Sequence, residues 1–144
     1  MTDVFDPDDS EHVSIRLGIE RGNGIPALQT KATAEDAMKI AGFELVVTED
    51  LGLRDDPLSW WYPIAGDTTK AEGFKDWLLV VRNTKYGRYA VRALVAILEF
   101  VRVAPKGTAR ITEELISGAD ALILGGKKGV FTPMLLMVGK KASE

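Results

Sequence analysis

Three rings in succession, Trp60-Trp61-Tyr62, stand on a segment bounded by Pro57 and Pro63. Large aromatics on a proline-flanked loop are suited to wall an apolar pocket, since they bring much apolar surface and carry their polar atom at one end. A purely structural plug is the equally open alternative. A second concentration is acidic, with Asp6, Asp8, Asp9 and Glu11 crowded beside His12. Such a group could hold a cation or exchange protons. However, it lacks the alternating oxygens and sixth-position glycine of a calcium loop. A single His with no Cys does not make a zinc site either, so no metal is expected. The simpler reading is a solvated helix start whose carboxylates favour the positive end of the dipole, with His12 left as a candidate general base.

Two glycine runs invite comparison with phosphate-binding loops. Gly22-Asn23-Gly24-Ile25-Pro26-Ala27 has the G-x-G-x-x-A spacing of a dinucleotide loop. That chemistry needs a strand before it and an unbroken helix after it, and Pro26 removes a backbone N–H that an anion would use. A turn is the better account. Gly125-Gly126-Lys127-Lys128 has Ala121 where a phosphate loop needs its first glycine, and Lys128 where Ser or Thr would ligate magnesium. It reads as a helix stop with exposed lysines.

The bulk properties narrow what these residues can serve. A chain of 144 residues, 46% hydrophobic and 27% charged, is the size and composition of one folded domain, residues 1–144. With a net charge of −3 and Lys and Arg dispersed along the chain, nucleic acid is not an expected partner. Cysteine is absent, which excludes disulfides and thiol nucleophiles and is compatible with a reducing compartment. The acidic start lacks the apolar run of a signal peptide, and the Leu94–Val103 stretch is broken by Glu99 and Arg102. No export or membrane-spanning segment is expected, and the location is read as cytoplasmic.

The elements that must position the rings follow from periodicity and punctuation. A short helix is expected over 9–19 and a turn over 22–26. A helix capped at Thr33 and stopped by Gly42 is followed by a buried strand over 43–48. Residues 51–69 read as a long structured loop. Phe74, Trp77, Leu78 and Val81 share one helix face, as do Leu94, Ile97, Leu98 and Val101, with Thr84 capping the second helix. Both stripes are expected to be core, with an apolar binding groove or a membrane-facing surface as the alternative use. A helix over 112–124, ended by Gly125-Gly126, and a strand over 131–138 complete the chain. The fold class is α+β, mostly helical, with a small antiparallel strand pair.

Beyond these arguments lies a resemblance. Thr2-Asp3, Phe5-Asp6-Pro7-Asp8-Asp9 and His12, followed by Ile19-Glu20 and Gly22-Asn23-Gly24-Ile25-Pro26, are similar to successive signatures of the sterol 24-C-methyltransferases. The likeness continues in order through Ala41-Gly42-Phe43-Glu44, Glu49-Asp50-Leu51, Trp61-Tyr62-Pro63, Gly87-Arg88, Leu98-Glu99, Ala104-Pro105-Lys106-Gly107 and Gly125-Gly126-Lys127 to Phe131-Thr132-Pro133-Met134. The departures are local: Leu17-Gly18 precedes Ile19-Glu20, and Arg21 replaces a small or apolar residue.

The resemblance implies methyl transfer from S-adenosylmethionine to a sterol side chain through a carbocation, which aromatic faces and carboxylates stabilise in a dry site. It implies Asp3 and Glu20 as catalytic carboxylates, and Trp60, Trp61, Tyr62, Phe131 and Met134 as the sterol-binding set. It also implies that residues 1–30 end a donor-binding fold whose glycine-rich loop lies upstream, and that the strand pair completes a class I methyltransferase sheet with the helices as a sterol-facing cap. On this reading the isolated chain binds no donor and is inactive. Its partners are sterol and either a donor-binding half or a second copy, with peripheral contact at the endoplasmic reticulum or lipid droplets. The rival readings are a non-catalytic sterol-binding or docking module and a purely structural fragment.

Overall fold

A computed structural model describes residues 1–54 and 57–141 of the chain. Residues 55 and 56 of the expected long loop and residues 142–144 lie outside the described residues. Among the described residues, six α-helices and one strand pair run in the order α1 (Ser10–Asn23), α2 (Lys31–Ile40), β1 (Phe43–Asp50), α3 (Tyr62–Ala65), α4 (Phe74–Val81), α5 (Lys85–Phe100), α6 (Thr108–Lys128) and β2 (Leu135–Lys141). The α+β expectation holds, and β1 pairs with β2 antiparallel from Phe43 opposite Lys141 to Asp50 opposite Leu135. A register irregularity falls between Leu45 and Val47.

Helix α1 starts at Asp9, whose carboxylate accepts from the N–H groups of Glu11 and His12. These are donors that have no partner within the first turn of a helix. The helix runs a turn further than the glycines of 22–26 imply, ending at Gly24 in the left-handed conformation, φ 64°. Gly22 is inside the helix because of what faces it. A Cβ on Gly22 would fall 2.3 Å from the Cα of Gly118, and one on Gly18 would fall 2.7 Å from the Ala121 Cβ. Helices α1 and α6 thus meet backbone to backbone, and only glycine allows that approach.

This crossing carries the main core. Ile15 and Ile19 are buried with Met1 and Val130, while Phe5, Leu28, Ala121, Leu122 and Phe131 pack around them. The N-terminal ammonium donates to Gln29 O at 2.7 Å and is half-buried, and that burial lowers its pKa. Thr2 joins the other end of the chain, its hydroxyl donating to Gly129 O at 2.6 Å and its N–H to Val130 O at 3.1 Å.

Besides the 51–69 segment, which is not loop throughout because α3 lies within it, four expectations need correction. Helix α2 is capped by Thr30, which accepts from Thr33 N, so Thr33 is the partner of the cap. Strand β1 extends to Asp50 and none of its residues is buried, because the sheet has only two strands and α2 is the main element packed on it besides β2. Helix α6 passes through Gly125-Gly126 and stops at Gly129, φ 70°, so β2 begins at Leu135 rather than at 131.

The fourth correction concerns the two apolar stripes, which are not core. Phe74 is 75% exposed, Ile97 58% and Leu94 56%. In α5 it is the charged residues that reach other elements. Arg88 bonds Asp120 of α6 and the Ile64 carbonyl of α3, Arg92 bonds Glu113, and Glu99 accepts from Gly107 N and Ala109 N at the start of α6. The apolar arc is left facing outward. The break before α5 is as expected, with Thr84 accepting from Gly87 N at 3.1 Å.

Candidate functional site

The aromatic triplet sits at the start of α3, where Pro63 fits the first turn and loses no hydrogen bond that a helix would need. Gly66 ends the helix at φ 72°, pressed against the backbone of Asn83 and Thr84. The carbonyls of this one-turn helix are satisfied from the α4–α5 junction: Asn83 Nδ2 donates to Pro63 O at 3.1 Å and Arg88 Nη2 to Ile64 O at 2.9 Å. Tyr62 is held by its hydroxyl, which donates to Asp76 Oδ2 at 2.8 Å. That bond to a carboxylate raises the phenol's pKa above its ordinary value.

Trp60 and Trp61 lie against the last turns of α6 at Gly126. A Cβ there would stand 2.3 Å from Trp61 Cδ1 and 2.7 Å from Trp60 Cζ2, so the absent side chain is what seats both indoles. Trp60 meets Phe131 edge-on, with centroids 5.9 Å apart, and so links the site to the core. Trp60 and Trp61 line a cavity of about 280 Å³ together with Leu51, Arg54, Gly126 and Met134.

Its far rim is pinned by Asp50. One carboxylate oxygen accepts from Gly52 N at 2.9 Å and from the Thr132 hydroxyl at 2.6 Å, while Leu51 N donates to Met134 O at 2.9 Å. Arg54 pairs with Glu49 at 2.8 Å, which holds the Glu49 carboxyl below its ordinary pKa. The indole of Trp61 is flanked by two ammonium groups, Lys127 at 5.4 Å and Lys70 at 5.9 Å from its centroid. Both lie within cation–π range, so Trp61 is already engaged with cations of the protein itself.

The other expected site residues lie on other elements. Asp3 is exposed and pairs with Lys31 at 2.8 Å. Glu20 accepts from Leu28 N at 2.8 Å, fixing the loop after α1, with Arg16 Nε 3.6 Å from the same oxygen. Neither lines the tryptophan cavity. Of the expected binding set, the structure brings Trp60, Trp61 and Met134 to the cavity, sets Phe131 behind Trp60 and turns Tyr62 toward Asp76.

His12 accepts from Asp6 N at 3.1 Å and stacks on Phe5, consistent with the helix-start reading of the acidic cluster. Neither glycine run follows a strand. One ends α1 and the other lies within α6, so neither is placed as a nucleotide loop. Among the described residues no cluster could hold a metal ion, and no helix is long and apolar enough to cross a membrane. Sequence reasoning missed Gly126, Leu51 and Asp50. Only Gly126 left a signal there, a glycine pair directly after the apolar Leu122–Leu124 run of a helix, which also marks close approach.

Residues 78–142 match the family described as sterol methyltransferase C-terminal. The chain is 49% identical over 98% of its length to sterol 24-C-methyltransferase erg-4 of Neurospora crassa. It is 46% identical over its whole length to sterol 24-C-methyltransferase ERG6B of Gibberella zeae, and 40% to a sterol 24-C-methyltransferase of Candida albicans. It spans 37–38% of the length of these relatives. No solved structure matches it. From this similarity, continuous from one end to the other, the chain belongs to the sterol 24-C-methyltransferase family, as a C-terminal portion of it.

Proposed function

We propose that this chain is the sterol-side portion of an enzyme that moves a methyl group from S-adenosylmethionine to a sterol side chain, the donor being held by polypeptide other than residues 1–144. The observation that carries the reading is the indole pair seated on Gly126, which with Leu51 and Met134 gives apolar surface to a cavity of about 280 Å³ whose wall also holds Arg54 and Ser59. Complete small-molecule sites run from about 300 to 1,000 Å³. The cavity therefore suits one end of a sterol, with the remainder held by surfaces outside it. The glycine runs do not fit the donor, and no residue of this chain is assigned to it.

In this reading β1 and β2 close the edge of the donor-binding sheet and residues 1–30 are the end of that fold. Asp3 and Glu20 are the carboxylates that face the charge developing on the sterol. Asp3 is the more available, being exposed and held only by Lys31, whereas Glu20 already carries the Leu28 loop. The tryptophans act as an apolar wall that excludes water, since Trp61 is engaged with Lys127 and Lys70.

Titration of the chain with a fluorescent sterol tests the wall. Saturable binding is expected, and Trp60→Ala or Trp61→Ala should weaken it while helicity measured by circular dichroism is retained. Binding untouched by both substitutions refutes the wall. Methyl transfer from labelled donor by the chain alone refutes the placement of the donor site elsewhere.

A further inference from the structure

The chain holds four methionines and no cysteine, so its most readily oxidised side chains are thioethers. Three of the four are wholly or partly covered. Met1 is 7% exposed in the core, and Met137 is partly buried within β2. Met38 packs on β2, where a Cβ on Gly139 would fall 2.8 Å from its Cε. Met134 differs from all of them, being 50% exposed.

Met134 also stands where oxidation has a consequence. It lines the tryptophan cavity with Leu51, Trp60 and Trp61. Its backbone is tied on both sides, Met134 O accepting from Leu51 N at 2.9 Å and Met134 N donating to the Thr132 hydroxyl at 3.4 Å. The segment cannot carry the side chain out of the wall without breaking the bonds that close the rim.

From exposure and placement together we infer that Met134 is a sulfoxidation site, and that its oxidation by a hydroperoxide weakens binding in the tryptophan cavity. The sulfur lone pair bonds to the terminal peroxide oxygen as the O–O bond breaks. The proton on that oxygen passes to the departing oxygen, which leaves as water or an alcohol. Sulfur is thereby oxidised by two electrons and the peroxide reduced by two. An apolar side chain becomes a polar, chiral one. While the cavity is open, water solvates the new oxygen and the fold loses little. When an apolar ligand covers the wall that water leaves, and the oxygen must find another donor or stay unpaired, which opposes binding. The Ser59 hydroxyl and the Arg54 guanidinium, whose Nε is held by Glu49, line the same cavity. Turning the sulfoxide toward them draws it across the space the ligand needs. On either course the effect falls on binding rather than on stability. That the ligand is a sterol rests on the function proposed above, whereas the site of oxidation does not.

Graded hydrogen peroxide on the full chain, followed by peptide mass mapping, tests the site. Met134 should gain its oxygen about tenfold faster than Met1, Met38 or Met137. Tryptophan emission should shift in step with that gain, with no oxygen added to the indoles. Oxidation of another methionine ahead of Met134, or complete oxidation of Met134 with unchanged emission, overturns the inference. Fluorescent-sterol titration then compares each protein with itself before and after peroxide. Binding should weaken about tenfold in the parent, recover on treatment with a methionine sulfoxide reductase, and stay constant in Met134→Leu. Circular dichroism and the urea midpoint of the parent should not move. Undiminished sterol binding by the oxidised parent, or equal weakening in Met134→Leu, overturns the inference. A parent chain that binds no sterol before peroxide refutes the sterol reading alone, and mapping with emission still decides the site.

Discussion

Replacing Gly126 by Ala sets two effects of opposite sign against each other, and the structure decides between them. On helix propensity alone an interior Gly→Ala change in α6 should stabilise by about 1 kcal/mol. The new methyl would stand 2.3 Å from Trp61 Cδ1 and 3.1 Å from Trp61 Cγ. Carbon atoms settle at about 3.5–4.0 Å, so the ring must retreat by roughly 1 Å or more. Because Cγ is the root of the indole, rotating the ring tip does not clear the contact. Overpacking of this kind costs about 1–3 kcal/mol, and loosening the Lys127 contact at 5.4 Å removes about 0.5–1 kcal/mol more. The expected net result is destabilisation by about 0.5–3 kcal/mol, with the tryptophan emission shifted to the red and sterol titration weakened. Urea unfolding followed by both fluorescence and circular dichroism measures it. If Gly126→Ala is more stable than the parent by about 1 kcal/mol with unchanged emission, the seating role argued for Gly126 is wrong.

Gly118→Ala should be more damaging than Gly126→Ala. Its Cβ would fall 2.5 Å from the Gly22 Cα, and with backbone on both sides the helices themselves must part, at about 3 kcal/mol by urea unfolding. Glu99→Gln should flatten the acid limb of stability. Bonds from Gly107 N and then Ala109 N lower the Glu99 pKa from 4.5, so its contribution is complete above that value and is lost as pH falls through the depressed one. Thermal melts at about pH 7 and about pH 3 should differ less in the variant than in the parent.

The features that could be read from the sequence were those fixed by neighbours in the chain. Thr84 caps α5 through Gly87 N, three residues on, and β-branched Val46, Val47 and Thr48 mark a strand without reference to anything distant. What could not be read depended on what each segment meets. Gly22 and Gly126 look like helix stops, yet each stays helical because another element presses where a side chain would be. Leu94 and Ile97 have the spacing of core residues and are exposed, because Arg88, Arg92 and Glu99 bind the inner side of α5. The cavity was half legible: the tryptophans announce themselves, but Leu51 reaches it through its backbone bond to Met134, 83 residues later.

Helix α6 is a single rod of 21 residues, about 32 Å from end to end. The indoles bear on it near its last turn, and the Glu99 carboxylate grips its first. Because Gly118 meets Gly22 backbone to backbone halfway along, such a beam pivots there, and a tilt of about 4° moves each end by about 1 Å in opposite directions. A molecule wedged beside Gly126 and a load applied to α5 would therefore each be felt at the opposite end of one lever.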